Sequence, residues 1–274
     1  MALLIYAGPA SDRNPRGMAG AVALGTAIGE ARSLSPQIIG TPAPVLAGGW
    51  VTQLAAATPA LSELATALAG PVAAGEPLIL TMGRCAASIA TLPVIARQHP
   101  DAALVWFDAH GDINVPRGRD PADPAYLGGM VITGAAGEWD TGLGDGFTLA
   151  NLILVGARDL DPPEQARIEQ GDVTLVPVGP DLAERLTAAI AGRPVHIHLD
   201  CDVMEPGLVT TEYQVPHGLS LADLKAACTA LARHEVIGLE ITEFEAPAAD
   251  ARSAVPAGLI DALRPVLDRL AAPR

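Results

Sequence analysis

Aromatic side chains make up only 3% of the 274 residues, although half of the chain is apolar. A sizeable core is therefore possible, but Ala, Val, Leu and Ile must fill it. Positive charge is scarce too: 17 Lys and Arg stand against 31 Asp and Glu, a formal net charge of −14. That balance argues against nucleic acid or an anionic membrane as the main partner. It suits metal ions or a guanidinium or amine substrate, and it equally describes an acidic, solvated surface. Cysteine is rare. Cys85, Cys201 and Cys228 are odd in number and widely spaced, which is no disulfide framework and predicts a reducing cytoplasm. No apolar run reaches the roughly 18 residues of a membrane helix. The opening MALLIYAGPASDR lacks the basic n-region and long apolar stretch of a signal peptide.

Short apolar runs recur, separated by Ala-rich segments of helical spacing. The strand candidates are Leu3–Ala7, Gln37–Gly40, Leu78–Met82, Ala103–Phe107, Leu152–Val155, Val173–Pro177, Val195–Leu199 and Val236–Ile241. Most are apolar throughout, as expected of strands covered on both faces. Helical spacing is found over Ala21–Ala31, Ala60–Leu68, Ala87–Gln98, Asp181–Ala191, Leu221–Arg233 and Gly258–Leu270. Ser220 with Asp223 reads as a helix start with an acidic first turn. The alternation predicts an α/β fold with right-handed crossovers and a mostly parallel sheet of about eight strands. No repeat and no linker divides the chain, so one domain over 1–274 is expected. The longest stretch without periodicity, Asn114–Ala150, is rich in Gly, Pro and Asp, and a loop of that length in a compact domain is usually functional or disordered.

That loop follows VWFDAHGDIN, in which Asp108, His110 and Asp112 stand two apart at the end of an apolar run. A second apolar run, PVHIHLDCDV, ends in Asp200 and Asp202. Ligands of open α/β sheets bind at the carboxyl ends of strands, and alternate side chains of an extended segment share a face. Four carboxylates and one imidazole brought together repel one another unless cations intervene. Two divalent ions would cancel about four charges and could bridge a hydrolytic water. A carboxylate-rich set favours a hard ion, manganese above zinc.

FDAHGDIN and HLDCDVMEP resemble the two signature segments of the ureohydrolase family, which includes arginase, agmatinase and formiminoglutamase. The resemblance runs from about Leu78 to Pro247. It implies a three-layer α/β/α sandwich and a cluster of two Mn2+ ions per chain that hydrolyses guanidino or formimino groups. By position, Asp108 and Asp200 would bridge both ions, Asp112 would bind one, and His110 and Asp202 the other. GLEITEFEAP is similar to the segment that turns an acidic residue toward the substrate guanidinium, which places that role on Glu243. In the implied reaction Asp112 hydrogen-bonds the attacking oxygen while Glu243 orients the scissile group. Family members are often oligomers, so a homo-oligomer is a possibility.

Three departures stand out. TMGRCAAS replaces a Gly-Gly-Asp-His-type segment, so Cys85 falls where an imidazole ligand is expected and Arg84 where an Asp is. Cys85 is then a weak ligand, a neighbour of an open coordination position, or a small buried hydrophobe that starts a helix. In AYLGGMVI, Gly128 stands where arginases carry a proton-transferring His. TTEYQVP replaces Thr-Gly-Thr-Pro-Val, so the pocket must differ around Glu212, Tyr213 and Gln214. VGARDLDPPEQ resembles the stretch that reads a substrate α-amino group, here through Asp161 and Glu164, although both also fit an acidic helix start. Asn114 matches a reader of the α-carboxylate. Together these features point to a small-molecule guanidino amino acid. A weakened metal end suits an N-hydroxyguanidine, less basic than arginine, and the Cys-for-His exchange resembles the members of the family that cleave Nω-hydroxy-L-arginine to hydroxyurea and L-ornithine in D-cycloserine biosynthesis. Ordinary arginase, formiminoglutamase and a non-catalytic guanidino-binding relative remain alternatives. His196 and His198 are either donors behind the metal site or satisfied core residues, and His217 is a spare histidine for proton transfer.

Overall fold

A run that is apolar at every position makes a stable strand only when both of its faces are covered, and the chain meets that condition. The computed structural model describes residues 1–118, 125–247 and 250–272. Eight strands form one sheet: β1 (Ala2–Tyr6), β2 (Gln37–Ile39), β3 (Leu78–Met82), β4 (Ala103–Phe107), β5 (Leu152–Val155), β6 (Thr174–Val176), β7 (Val195–Asp200) and β8 (Val236–Thr242). Their order is β2-β1-β3-β8-β7-β4-β5-β6. Every pairing is parallel, so the sheet exceeds the mostly parallel expectation.

The helices are α1 (Arg16–Arg32), α2 (Trp50–Ala73), α3 (Ser88–Gln98), α4 (Val131–Ala135), α5 (Pro162–Gln170), α6 (Leu182–Ile190), α7 (Leu221–Leu231) and α8 (Ala257–Ala271). Successive strand residues face opposite ways, and two cores result. Leu4, Leu80, Leu104, Trp106 and Leu154 share one with Leu61 and Leu64 of α2, Leu92 of α3 and Val131 of α4. Leu3, Ile79, Val105, Ile153 and Ile197 share the other with Leu24 of α1, Leu186 of α6, Leu224 of α7 and Leu263 of α8. Helices on both faces give the expected three-layer α/β/α sandwich.

Helical spacing predicts only Ala60–Leu68 for the second helix, yet α2 runs through Pro59 and Pro71. Trp50, Leu54, Ala57, Leu61, Leu64, Leu68 and Val72 are all buried along it. This stripe at three- and four-residue steps outweighs the hydrogen bonds that two prolines cannot donate. The start of α7 is as expected: Ser220 accepts from the Asp223 N–H and the Asp223 carboxylate accepts from the Ser220 N–H. The unperiodic stretch Asn114–Ala150 contains α4 and a short 3-10 turn at Gly128–Met130. Its residues 119–124 lie outside the described residues.

Strands β4 and β7 are neighbours, but their chains leave in opposite directions, β4 toward β5 and β7 toward β8. A crevice opens at such a switch point, outside the carboxyl ends of the two strands.

Candidate active site

Phe107 of β4 pairs with Leu199 of β7, so Asp108 and Asp200 emerge side by side at the switch point. Trp106 lies two residues before Asp108 on the same face and donates its indole N–H to Asp108 Oδ2 at 2.9 Å. Beyond the strand the backbone turns in, and the His110 N–H reaches Asp108 Oδ1 at 2.7 Å. Asp202 stands in the 3-10 turn Cys201–Val203 after β7, where its own N–H bonds Asp200 Oδ1 at 2.7 Å. Across the crevice Asp202 Oδ1 accepts from the Ala109 N–H at 3.1 Å. The His110 imidazole spans both tips, with Nδ1 3.2 Å from Asp108 and 3.1 Å from Asp202. The two acidic strand ends therefore meet.

Two overlapping groups offer ligand atoms within 4.8 Å of one another: Cys85, Asp108 and Asp200, and Asp108, His110 and Asp202. Asp112 is buried beside them and lines the same cavity. Burial and neighbouring carboxylates push Asp200 and Asp112 well above the usual carboxylate range and raise Asp202. Burial also works against ionisation of Asp108, but bonds from His110 and Trp106 overcome it and lower that pKa.

Cys85 enters from the turn after β3. Its sulfur lies 3.0 Å from Asp200 Oδ2, 3.2 Å from His198 Nε2 and 3.0 Å from Thr242 Oγ1. His198 is in turn held at Nδ1 by Glu240 at 3.1 Å and approached by Ser88 Oγ at 3.2 Å. His198 thus stands directly behind the cluster, whereas His196 lies beyond it, 3.4 Å from Glu240.

Glu243 follows β8 with a left-handed φ of 59°, and Asp112 has a φ of 54°. Such backbone costs about 1–3 kcal/mol at a non-glycine residue, and here it turns two carboxylates into the cavity. Glu243 is not free: Oε1 accepts from the Cys85 N–H at 2.9 Å and Oε2 from Arg84 Nη1 at 2.6 Å. Burial pushes its carboxyl up to about 7 against the pull of Arg84.

The cavity is about 860 Å³ and reaches from Cys85, Asp200 and Glu243 out to Asn114 and Asp161, a volume suited to a small ligand. At its mouth Asn114 Nδ2 donates to Asp161 Oδ2 at 2.8 Å. Glu164 lines the wall, but both of its oxygens are engaged, by the Asp161 N–H at 2.9 Å and the Ile113 N–H at 3.2 Å. Of the two readings of this acid the structure shows the helix start: it caps α5 and ties the loop after β4 to that helix. At Gly128 a Cβ would lie 2.5 Å from Cε1 of Tyr126, so the tyrosine ring covers the place where a side chain would project. Tyr213 lines the cavity too, edge-on to His110 at 5.4 Å. His217 is exposed and is not among the lining residues.

Sequence reading offered His198 as a donor behind the site, which is where it stands, but missed the contributions of Tyr126, Glu240 and the Arg84–Glu243 pair. His198 and Glu240 carry a usable signal, since a His and an acid inside fully apolar strands need partners. Arg84 and Glu243 carry none, because the pair is visible only after β3 and β8 align.

The model of the Arginase family matches residues 33–261. The N(omega)-hydroxy-L-arginine amidinohydrolase of Streptomyces lavendulae is 36% identical over 271 residues, 98% of each chain. Among solved structures, the arginase of Bacillus subtilis superposes with a TM-score of 0.78 at 16% identity, covering 96% of this chain and 97% of that one. The Entamoeba histolytica arginase in complex with L-ornithine gives 0.76 at 17%, covering 98% and 97%. These two likenesses show the fold. Among the described residues no helix is long and apolar enough to cross a membrane.

Proposed function

The chain belongs to the arginase family, and from that premise we propose that it is an amidinohydrolase acting on Nω-hydroxy-L-arginine and releasing hydroxyurea and L-ornithine. The observation that carries the substrate is the Cys85 thiol among the carboxylates, 3.0 Å from Asp200, where other members of the family offer an imidazole. A soft, neutral thiol makes a poorer partner for a hard ion, and this suits a less basic, more reactive guanidine. The relative named for that substrate, similar from end to end, supports the same choice.

The donor set fits a divalent metal. Asp108, Asp112, Asp200 and Asp202 are all buried, with His110 as the imidazole among them, and buried carboxylates need compensating positive charge. Asp108 belongs to both ligand groups, as a residue shared by two Mn2+ ions would. Asp200 would be the second shared carboxylate, with Cys85 and Asp112 toward one ion and His110 and Asp202 toward the other. When bound, such a pair supplies a water that ionises near neutral pH.

The protein groups do the rest. Asp112 holds the attacking water by a hydrogen bond. Glu243 orients the guanidino group, and Asn114 and Asp161 at the mouth receive the amino-acid end, on a loop that Glu164 keeps in place. Water adds to the guanidino carbon, the bond to the ornithine nitrogen breaks, and that nitrogen takes up the proton the water has lost.

Product analysis after manganese reconstitution is the test. Hydroxyurea and ornithine should form from hydroxyarginine with a kcat/KM at least about tenfold above that for arginine, some 1.4 kcal/mol of discrimination. Faster release of urea from arginine would identify an ordinary arginase. Absence of turnover and of bound metal would leave only a guanidino-binding relative.

A further inference from the structure

Arg84 is fully buried, at 0% side-chain exposure, and every nitrogen of its guanidinium faces an acid. Nη1 is 2.6 Å from Glu243, Nη2 is 2.9 Å from Glu245 and 3.0 Å from Glu212, and Nε is 3.2 Å from Asp12. Room for it comes from Gly17 in the first turn of α1, where a Cβ would come within 3.0 Å of Arg84 Nε and 2.8 Å of the Gly83 carbonyl. Glu245 is shared with Arg16 at 2.8 Å and with Asn14 at 2.7 Å. The guanidinium is therefore fixed by its fork geometry rather than drifting as a counter-ion.

The consequence falls on Glu243. The proposed function gives this carboxylate to the scissile guanidino group, yet the chain's own guanidinium already sits on it. With Arg84 on Oε2 and the Cys85 N–H on Oε1, no free pair of oxygens is left for the two-pronged grip that carboxylates give a guanidinium. Each oxygen retains accepting capacity, enough for an N–H of an uncharged group. An incoming cation would share the carboxylate with a like charge in a buried site, where screening is weak. Discrimination of this kind comes from a repulsive element built against the wrong ligand.

Resting on that functional reading, we propose that Arg84 sets the charge preference of the pocket: by occupying Glu243 Oε2 from behind, it leaves no two-pronged seat for a second guanidinium and selects a neutral guanidine over a cationic one. An N–OH substituent withdraws electron density and lets the group bind uncharged, whereas the guanidinium of arginine keeps its proton. Arg84 acts through Glu243 and is a positioning residue.

Binding of two inert arginine analogues to the manganese-loaded protein tests this by calorimetry: Nω-nitro-L-arginine, which is neutral, and Nω-methyl-L-arginine, which is cationic. The unaltered protein and Arg84→Lys should bind the neutral analogue at least about tenfold more tightly. The double variant Arg84→Met with Glu245→Gln removes one charge of each sign. It should lose that preference and bind the cation better than the unaltered protein does. Equal or tighter binding of the cation by the unaltered protein overturns the proposal, and so does an unchanged preference in the double variant. If the double variant does not fold, Arg84→Gln is read by the same pair of titrations, and it must lose the preference or the proposal fails. Faster cleavage of arginine than of hydroxyarginine would sink the substrate assignment but leave the binding preference standing, so the two failures are distinguishable.

Discussion

Trp106 and His198 lie face to face across β4 and β7, ring centroids 3.4 Å apart and planes 3° from parallel. The indole N–H of the same tryptophan holds Asp108, and the far edge of the same imidazole touches Cys85. One stacked pair thus fixes a residue of each proposed ligand group from below.

Trp106→Phe keeps the stack and deletes the donor. The Asp108 carboxylate is buried and loses a bond, so stability should fall by about 1–3 kcal/mol and manganese affinity should weaken. Denaturant titration and metal titration check the two effects. Trp106→Leu, which also removes the stack, should cost more than Trp106→Phe on both counts.

Asp200→Asn should abolish manganese loading while leaving the chain folded. It removes one of four crowded buried carboxylates, so in the presence of a chelator its melting temperature should equal or exceed that of the unaltered protein. The rise in melting temperature on adding manganese, which binding to the native state alone produces, should vanish. A variant that still loads two ions would remove Asp200 from the ligand set.

Protons and metal should drive stability in opposite directions. Burial raises Asp112, Asp200 and Asp202, and holds Glu243 at about 7. A carboxyl whose folded pKa lies above its unfolded one favours the fold when protonated, and that contribution is lost as pH rises through the folded value. With chelator, melting temperature should therefore climb as pH falls from about 8 to about 6. With manganese it should drop over the same range, because protons compete for the ligands. Two parallel curves would contradict the shared role of these acids.

Gly128→His should be poorly tolerated, because the new side chain meets the Tyr126 ring at Cβ; overpacking of this kind costs about 1–3 kcal/mol. Adding Tyr126→Ala should restore much of it, and a double-mutant cycle should report a coupling of about 1 kcal/mol or more. Additive effects would show that the ring moves away freely.

Cys85→His should tighten manganese and raise the ratio of urea from arginine to hydroxyurea from hydroxyarginine by about tenfold or more, since imidazole suits the ion better than a neutral thiol. Parallel metal analysis and product assays measure both.

The sheet was legible because its strands are apolar at consecutive positions: β3, β4 and β5 begin and end where the apolar runs do. The helices were less so, since Pro59 and Pro71 mask the long buried stripe of α2 and a five-residue helix such as α4 is too short to show a period. The meeting of Asp108, His110, Asp200 and Asp202 was legible because both apolar runs end in closely spaced metal-capable groups. The Tyr126–Gly128 overlap depends on loop packing that spacing does not encode. Glu164 was ambiguous from sequence for a physical reason, as the same carboxylate caps a helix and lines the cavity.

Because β4 and β7 send their chains to opposite halves of the sheet, the segments that leave their carboxyl ends diverge on either side of the crevice. Its two banks come from separate stretches, the segments after β4 and β5 on one side and those after β7, β8 and β3 on the other. Lengthening or trimming either bank would reshape the entrance without shifting the strand tips that carry the acids. New specificities can therefore arise in this framework by editing the shoreline while the bed of the channel stays fixed.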